Sequence, residues 1–123
     1  MRFLLDSNVL IWSIEHVLRP EVMDLLADQD NDLFVSRVSR WEIAIKAGLG
    51  KLQIPDDLDD QMHDLRIADL TLETSHIAAY RELPLLHRDP FDRMLIAQAK
   101  VENLTIVTRD RRFAEYDVTV WPA

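Results

Sequence analysis

Five short apolar runs, spaced by segments with helical periodicity, narrow the fold of this chain more than any other feature. Phe3–Leu5, Leu33–Val35, Asp69–Leu72, Thr105–Thr108 and Val118–Trp121 read as strands. Between them the pattern changes to helix. Pro20 stands at a first helical turn, with Val22, Leu25 and Leu26 on one face. Ser39–Ala47 is helical, and Gly48 and Gly50 are its stops. Asp56 to about Arg66 makes an acidic helix with Leu58, Met62 and Leu65 at helical spacing. Ser75–Leu83 is another helix, and Pro90 opens a longer one carrying Met94–Ala99. Val9–Ile14 is apolar all round and fits either a strand or a buried helix. Strands alternating with helices predict an α/β domain built on a mainly parallel sheet. With 123 residues, no repeat and no interdomain linker, a single domain spanning 1–123 is expected.

Charge limits what such a domain can bind. The net charge is −8, whereas a protein that holds nucleic acid by its overall field should be basic. A nucleic-acid substrate would therefore need a local basic rim, metal ions, or both. The acidic total also fits a basic peptide partner, or a simple gain in solubility. The absence of cysteine excludes disulfides and thiolate metal sites. Arg2 provides a minimal positive start, but Asp6, Ser7 and Asn8 interrupt the apolar region after it, and no small-residue cleavage site follows, so no signal peptide is expected. No run approaches the roughly 18 apolar residues of a membrane span. The expectation is a soluble, cytoplasmic protein.

The acids carry the chemistry. In open parallel sheets, function collects at the carboxyl ends of the strands. Asp6 ends the first strand, inside the otherwise apolar stretch MRFLLDSNVLIW, where an unpartnered carboxylate is costly. Asp110 lies just past the fourth strand, Glu42 one turn into the helix after the second, and Asp92 in the first turn of the helix opened by Pro90. All four can therefore occupy one rim of the sheet. Local structure offers other uses for three of them. Ser39-Arg40-Trp41-Glu42 has the pattern of a capping box. Asp89-Pro90-Phe91-Asp92 reads as an N-cap, a first-turn proline and a dipole-compensating acid. Asp110 would cap a short helix starting near Arg111. Nothing local accounts for Asp6. Four converging carboxylates suit Mg²⁺ or Mn²⁺, hard cations that prefer oxygen. One such ion or two can activate a water, orient a phosphodiester and stabilise the leaving oxygen.

Other catalytic patterns are missing. His16, His63 and His76 sit on helical stretches, where surface or half-buried roles are expected. His87 precedes Arg88 and Asp89, where it would orient the loop or ligate a metal. There is no Ser-His-Asp order, no HExxH and no glycine-rich phosphate loop, and the chain holds only two glycines.

Four ordered motifs resemble a known family. Leu4-Leu5-Asp6-Ser7-Asn8-Val9-Leu10-Ile11-Trp12, Ser39-Arg40-Trp41-Glu42-Ile43-Ala44-Ile45-Lys46, His87-Arg88-Asp89-Pro90-Phe91-Asp92-Arg93-Met94-Leu95-Ile96-Ala97-Gln98-Ala99 and Val107-Thr108-Arg109-Asp110 resemble the PIN domain. More narrowly, they resemble VapC-type toxins of bacterial toxin–antitoxin pairs. The resemblance implies a three-layer fold with a five-stranded sheet of order 3-2-1-4-5 flanked by helices. It implies an Mg²⁺- or Mn²⁺-dependent endoribonuclease that cleaves RNA, forms a homodimer or a larger assembly, and is neutralised by a small cognate antitoxin. The family's acidic quartet of catalytic metal ligands falls on Asp6, Glu42, Asp92 and Asp110. Its polar residue after the first acid, often Thr, is Ser7 here, which keeps the hydroxyl. Ser7, Asn8, Thr108, Arg40, Arg93 and Arg109 are expected to touch substrate or support the acids, while Asp89 lies outside the quartet and reads as a helix cap. Arg37, Arg40, Lys46, Arg88, Arg93 and Arg109 all lie close in sequence to one of the motifs and would supply the basic rim.

Competing readings fit less well. A phosphoacceptor receiver domain would need an acidic pair after the first strand, an Asp ending a central strand and a Lys ending the last. Here Ser7 follows Asp6, Val35 leads to Ser36, and the last strand has no Lys. An Asp-x-Asp phosphatase would need an acid at Asn8. A catalytically silent PIN-like binding module is the remaining alternative, and the four intact acids argue against it.

Overall fold

The computed structural model describes residues 1–123. Its strands are β1 (Arg2–Leu5), β2 (Asp32–Ser36), β3 (Ile67–Leu70), β4 (Thr105–Thr108) and β5 (Val120–Pro122). Its helices are α1 (Ser7–Ile14), α2 (Pro20–Ala27), α3 (Arg37–Gly48), α4 (Leu58–Asp64), α5 (Thr74–Arg81) and α6 (Pro90–Glu102), with a 3-10 helix at Arg111–Glu115. The strands form one sheet of order β3-β2-β1-β4-β5, and every pair is parallel. The expected α/β class and strand order are therefore both present.

The central strand explains the layering. Successive side chains of a strand point to opposite faces. Phe3 and Leu5 pack with Val9, Leu10, Val22, Leu33 and Val35 on one face of the sheet. Leu4, between them, packs with Leu95, Ile96, Leu104, Ile106 and Phe113 on the other. Two cores separated by one sheet give three layers, and a parallel sheet covered on both faces has this arrangement. No helix is long and apolar enough to cross a membrane.

The local departures from expectation have physical causes. The stretch after Asp6 is a helix, because the Asp6 carboxylate accepts the Val9 N–H (2.8 Å) and caps α1. The acid that lacked a local role in the sequence thus has one. Helix α3 begins at Arg37, earlier than the expected Ser39, because Ser36 at the end of β2 caps it through the Val38 N–H (3.0 Å). Ser39 lies inside the helix and the capping box with Glu42 does not form. Strand β3 starts at Ile67, two residues before the expected Asp69, because Arg66 takes a left-handed turn (φ 58°) directly after α4. Strand β5 is shifted the other way, to Val120–Pro122.

Candidate active site

Strands β1 and β4 run side by side with Leu5 opposite Val107, so the residues that follow each strand emerge together. The Asp6 N–H donates to the Val107 carbonyl (3.2 Å), and Thr108 Oγ1 donates to Asp6 Oδ2 (2.5 Å). With the Val9 N–H on Oδ1, both oxygens of Asp6 are anchored by neutral donors. Helix α3 brings Glu42 to the same rim, where its Oε1 accepts from Ser7 Oγ (2.9 Å) and its Oε2 pairs with Lys46 (3.2 Å). Helix α6 brings Asp92, whose Oδ2 lies 2.8 Å from His87 Nε2. Asp110 follows β4 and caps the 3-10 helix through the Arg112 N–H.

These four acids line one cleft of about 180 Å³, together with Ser7, Asn8, Lys46, Asp89, Arg112 and Phe113. The electrostatics differ along it. Asp6 is only 7% exposed, and burial pushes its carboxyl up against the hydrogen bonds from Thr108 and Val9. Glu42 and Asp110 add repulsion in the same direction. Asp92 is pushed up to about 6, first by burial and then by the charge of Asp89, with His87 opposing. Asp110 is held low by the Arg112 guanidinium, which contacts both of its oxygens (2.9–3.3 Å).

Capping and clustering coexist here. Asp6 and Asp110 cap helices and also line the cleft. Asp92 does not cap: Asp89 accepts the N–H groups of both Phe91 (2.8 Å) and Asp92 (3.2 Å), in the N-cap role expected of it.

Three arginines that sequence proximity placed at the site are engaged elsewhere. Arg40 pairs with Asp69 (3.0 Å) and Asp59. Arg93 is buried, donating to the Pro84 carbonyl (2.9 Å) and Tyr116 Oη (3.1 Å) with its guanidinium over the Tyr80 ring. Arg109 stacks on Trp12 at 4.1 Å. The cations that line the cleft are Lys46 and Arg112. Arg112 escaped the sequence reading; its signal was the Asp110-Arg111-Arg112 spacing, which lets a capping acid meet the side chain of the residue whose N–H it accepts. His76 is fully buried, where a surface or half-buried position was expected, and His87 is 3% exposed.

The PIN domain family model matches residues 3–118. The chain belongs to the PIN domain family. Among solved structures, this PIN domain is similar to VapBC2 from Rickettsia felis bound to a promoter DNA fragment, with 19% identity over 99% of this chain and 98% of that one and a TM-score of 0.77. It is also similar to DNA-bound VapBC from Salmonella typhimurium, with 18% identity over 99% and 98% and a TM-score of 0.71. A third similar structure is FitAcB from Neisseria gonorrhoeae, with 23% identity over 97% and 96% and a TM-score of 0.62. No curated protein matches the chain.

The donor set of this PIN domain fits a hard cation. Every acid in the cleft offers carboxylate oxygen, and the hydrogen bonds to Asp6, Glu42 and Asp92 leave lone pairs uncommitted. The raised carboxyls of Asp6 and Asp92 mark where a positive charge is wanted.

Proposed function

We propose that this PIN domain is a metal-dependent endoribonuclease that hydrolyses RNA phosphodiester bonds and acts as the toxin of a toxin–antitoxin pair. The observation that carries the reading is the convergence of Asp6, Glu42, Asp92 and Asp110, from four separate segments, on one cleft. These are the residues that would hold Mg²⁺ or Mn²⁺, which when bound would polarise the scissile phosphate and promote ionisation of the attacking water. The chain's own groups do the rest. Thr108 and Ser7 fix the orientation of Asp6 and Glu42, and Asp89 holds the start of α6 so that Asp92 faces the cleft. Lys46 and Arg112, paired here with Glu42 and Asp110, are the cations of the cleft. They would turn to phosphate oxygens once a metal ion holds those acids, the local basic contacts that an acidic chain needs.

The toxin reading rests on family membership and on likeness to VapBC and FitAB structures. A small cognate antitoxin, a homodimer or larger toxin–antitoxin assembly, and a cytoplasmic location belong to the same proposal. Purified protein should bind Mn²⁺ in a calorimetric titration, cut structured RNA with Mg²⁺ or Mn²⁺, and stop when EDTA is added. Expression should arrest bacterial growth. Cleavage that persists in EDTA would refute the metal role, and absence of Mn²⁺ binding would return the chain to a silent binding module.

A further inference from the structure

His87 sits at the edge of the cleft in a position that suggests a metal ligand. Its Nε2 is 2.8 Å from Asp92 Oδ2 and 3.7 Å from Asp110 Oδ2. The three side chains offer ligand atoms within 4.8 Å of one another, as a site with one histidine and two carboxylates would. The other ring nitrogen decides against that role. His87 Nδ1 accepts the Asp89 N–H at 3.3 Å. A ring nitrogen that accepts carries no proton, so in the neutral imidazole the proton is on Nε2. A protonated Nε2 has no lone pair for a cation; it can only donate, and Asp92 Oδ2 is the oxygen within hydrogen-bond reach.

The ring is also held firmly in this orientation. The His87 N–H donates to Tyr116 Oη (2.8 Å), and Arg93 Nη1 donates to the His87 carbonyl (3.4 Å) and to Tyr116 Oη (3.1 Å). Phe113 meets the ring edge-on at 6.2 Å. This gives buried Arg93 a use in the site after all: it secures the loop that presents His87.

The geometry points to His87 as a positioning residue that is not itself a ligand: its Nε2–H holds Asp92 Oδ2 and leaves Oδ1 of that carboxylate for the cation. Donors of this kind behind ligating groups typically change metal affinity by about 10–100-fold when removed. The inference deepens the proposed function and rests on its metal site.

Two substitutions separate the two ends of the ring. His87→Asn keeps an acceptor near the position of Nδ1 and loses the donor to Asp92. His87→Gln keeps a donor near the position of Nε2 and loses the acceptor for Asp89. With Mn²⁺ alone as the probe at pH 8, His87→Asn should bind about 10–100-fold more weakly than wild type, whereas His87→Gln should stay within about threefold. Equal losses, no loss in either variant, or loss in His87→Gln alone would overturn the role. Should either variant fail to fold, the wild-type ring answers by ¹⁵N–¹H spectroscopy. A proton on Nε2 supports the inference, and a proton on Nδ1 refutes it. Failure of the underlying metal site looks different: wild type would bind no Mn²⁺ whatever the tautomer, and both readings would fall together.

Discussion

Two buried histidines in this protein are wired alike, and only one of them sits at the cleft. His76 Nδ1 accepts the Glu73 N–H (3.0 Å) while its Nε2 meets Glu102 Oε1 (2.9 Å). His87 Nδ1 accepts the Asp89 N–H while its Nε2 meets Asp92 Oδ2. In each, a backbone donor selects the tautomer and the opposite nitrogen holds a carboxylate. The surroundings differ. The acid that the His76 ring holds is Glu102, a third exposed, and the pair ties α5 to the end of α6. Around His87 the held acid is one of several facing the same cleft, and it is pushed up to about 6. A histidine–carboxylate pair therefore does not define a site. What defines it is the number of further charges that the fold brings to the held carboxylate.

The largest effect should come from exchanging damage between the two pairs. Asp92→Asn should cut RNA cleavage by at least ~10²-fold while the fold persists, since under the proposed function it would remove a ligand charge from the reacting centre. His76→Ala should do the opposite. It opens the core and strands the Glu73 N–H, at a cost of ~1–3 kcal/mol, but leaves specific activity below the melting temperature near that of wild type. Cleavage assays paired with thermal melts check both. If Asp92→Asn cleaves normally, the cleft pair is as structural as the other one.

How far the sequence revealed this arrangement follows from side-chain direction. Asp6, Glu42 and Asp110 were legible because each sits at a strand end or in a helix that starts there, where the parallel sheet aligns the ends. Asp92 was legible from the Asp-Pro start of its helix. Proximity in sequence to an acid was a poor guide to the arginines. Residues turn about 100° apiece around a helix. Arg40, two before Glu42 on α3, therefore lies on the far side with Asp69. Arg93, one after Asp92, turns into the loop. Lys46, four after Glu42, returns to the same face and does reach the acid. The burial of His76 was not legible, because it depends on the partner Glu102, 26 residues later.

A second test sharpens the comparison through pH. The carboxyl of Asp92 rises from 3.8 to about 6 on folding, so between those values the folded state holds a proton that the unfolded chain has lost. Stability is then favoured below about pH 4 and declines as pH rises towards 6. Asp6 is shifted in the same direction. Asp110, held low by Arg112, works with the opposite sign, but its window lies below 3.8 and does not overlap. In EDTA, melts should show a decline worth about 2–3 kcal/mol at most from Asp92. Asp92→Asn should flatten it and melt higher than wild type at neutral pH. Mn²⁺ should restore wild type and help the variant less. A flat wild-type profile between pH 4 and 6 in EDTA would remove the electrostatic distinction between the two pairs.

The smallest effect concerns Asp89, which lines the cleft yet is assigned to the helix. Its carboxylate accepts two N–H groups at the start of α6, and its charge is the second largest cause of the rise in Asp92. The two contributions can be separated because asparagine caps a helix about as well as aspartate, whereas alanine does not. Asp89→Ala should therefore lose ~1 kcal/mol of cap, partly offset in EDTA by relief of the repulsion on Asp92. Asp89→Asn should keep the cap and gain the relief, melting at or slightly above wild type in EDTA at neutral pH. Neither change removes the Asp89 N–H that orients His87, so Mn²⁺ affinity should stay within a few-fold in Asp89→Asn. A loss of Mn²⁺ binding in Asp89→Asn as deep as that in Asp92→Asn would mean that Asp89 is itself a ligand. The division of labour at this helix start, with one acid for the backbone and the next for the cleft, would then be wrong.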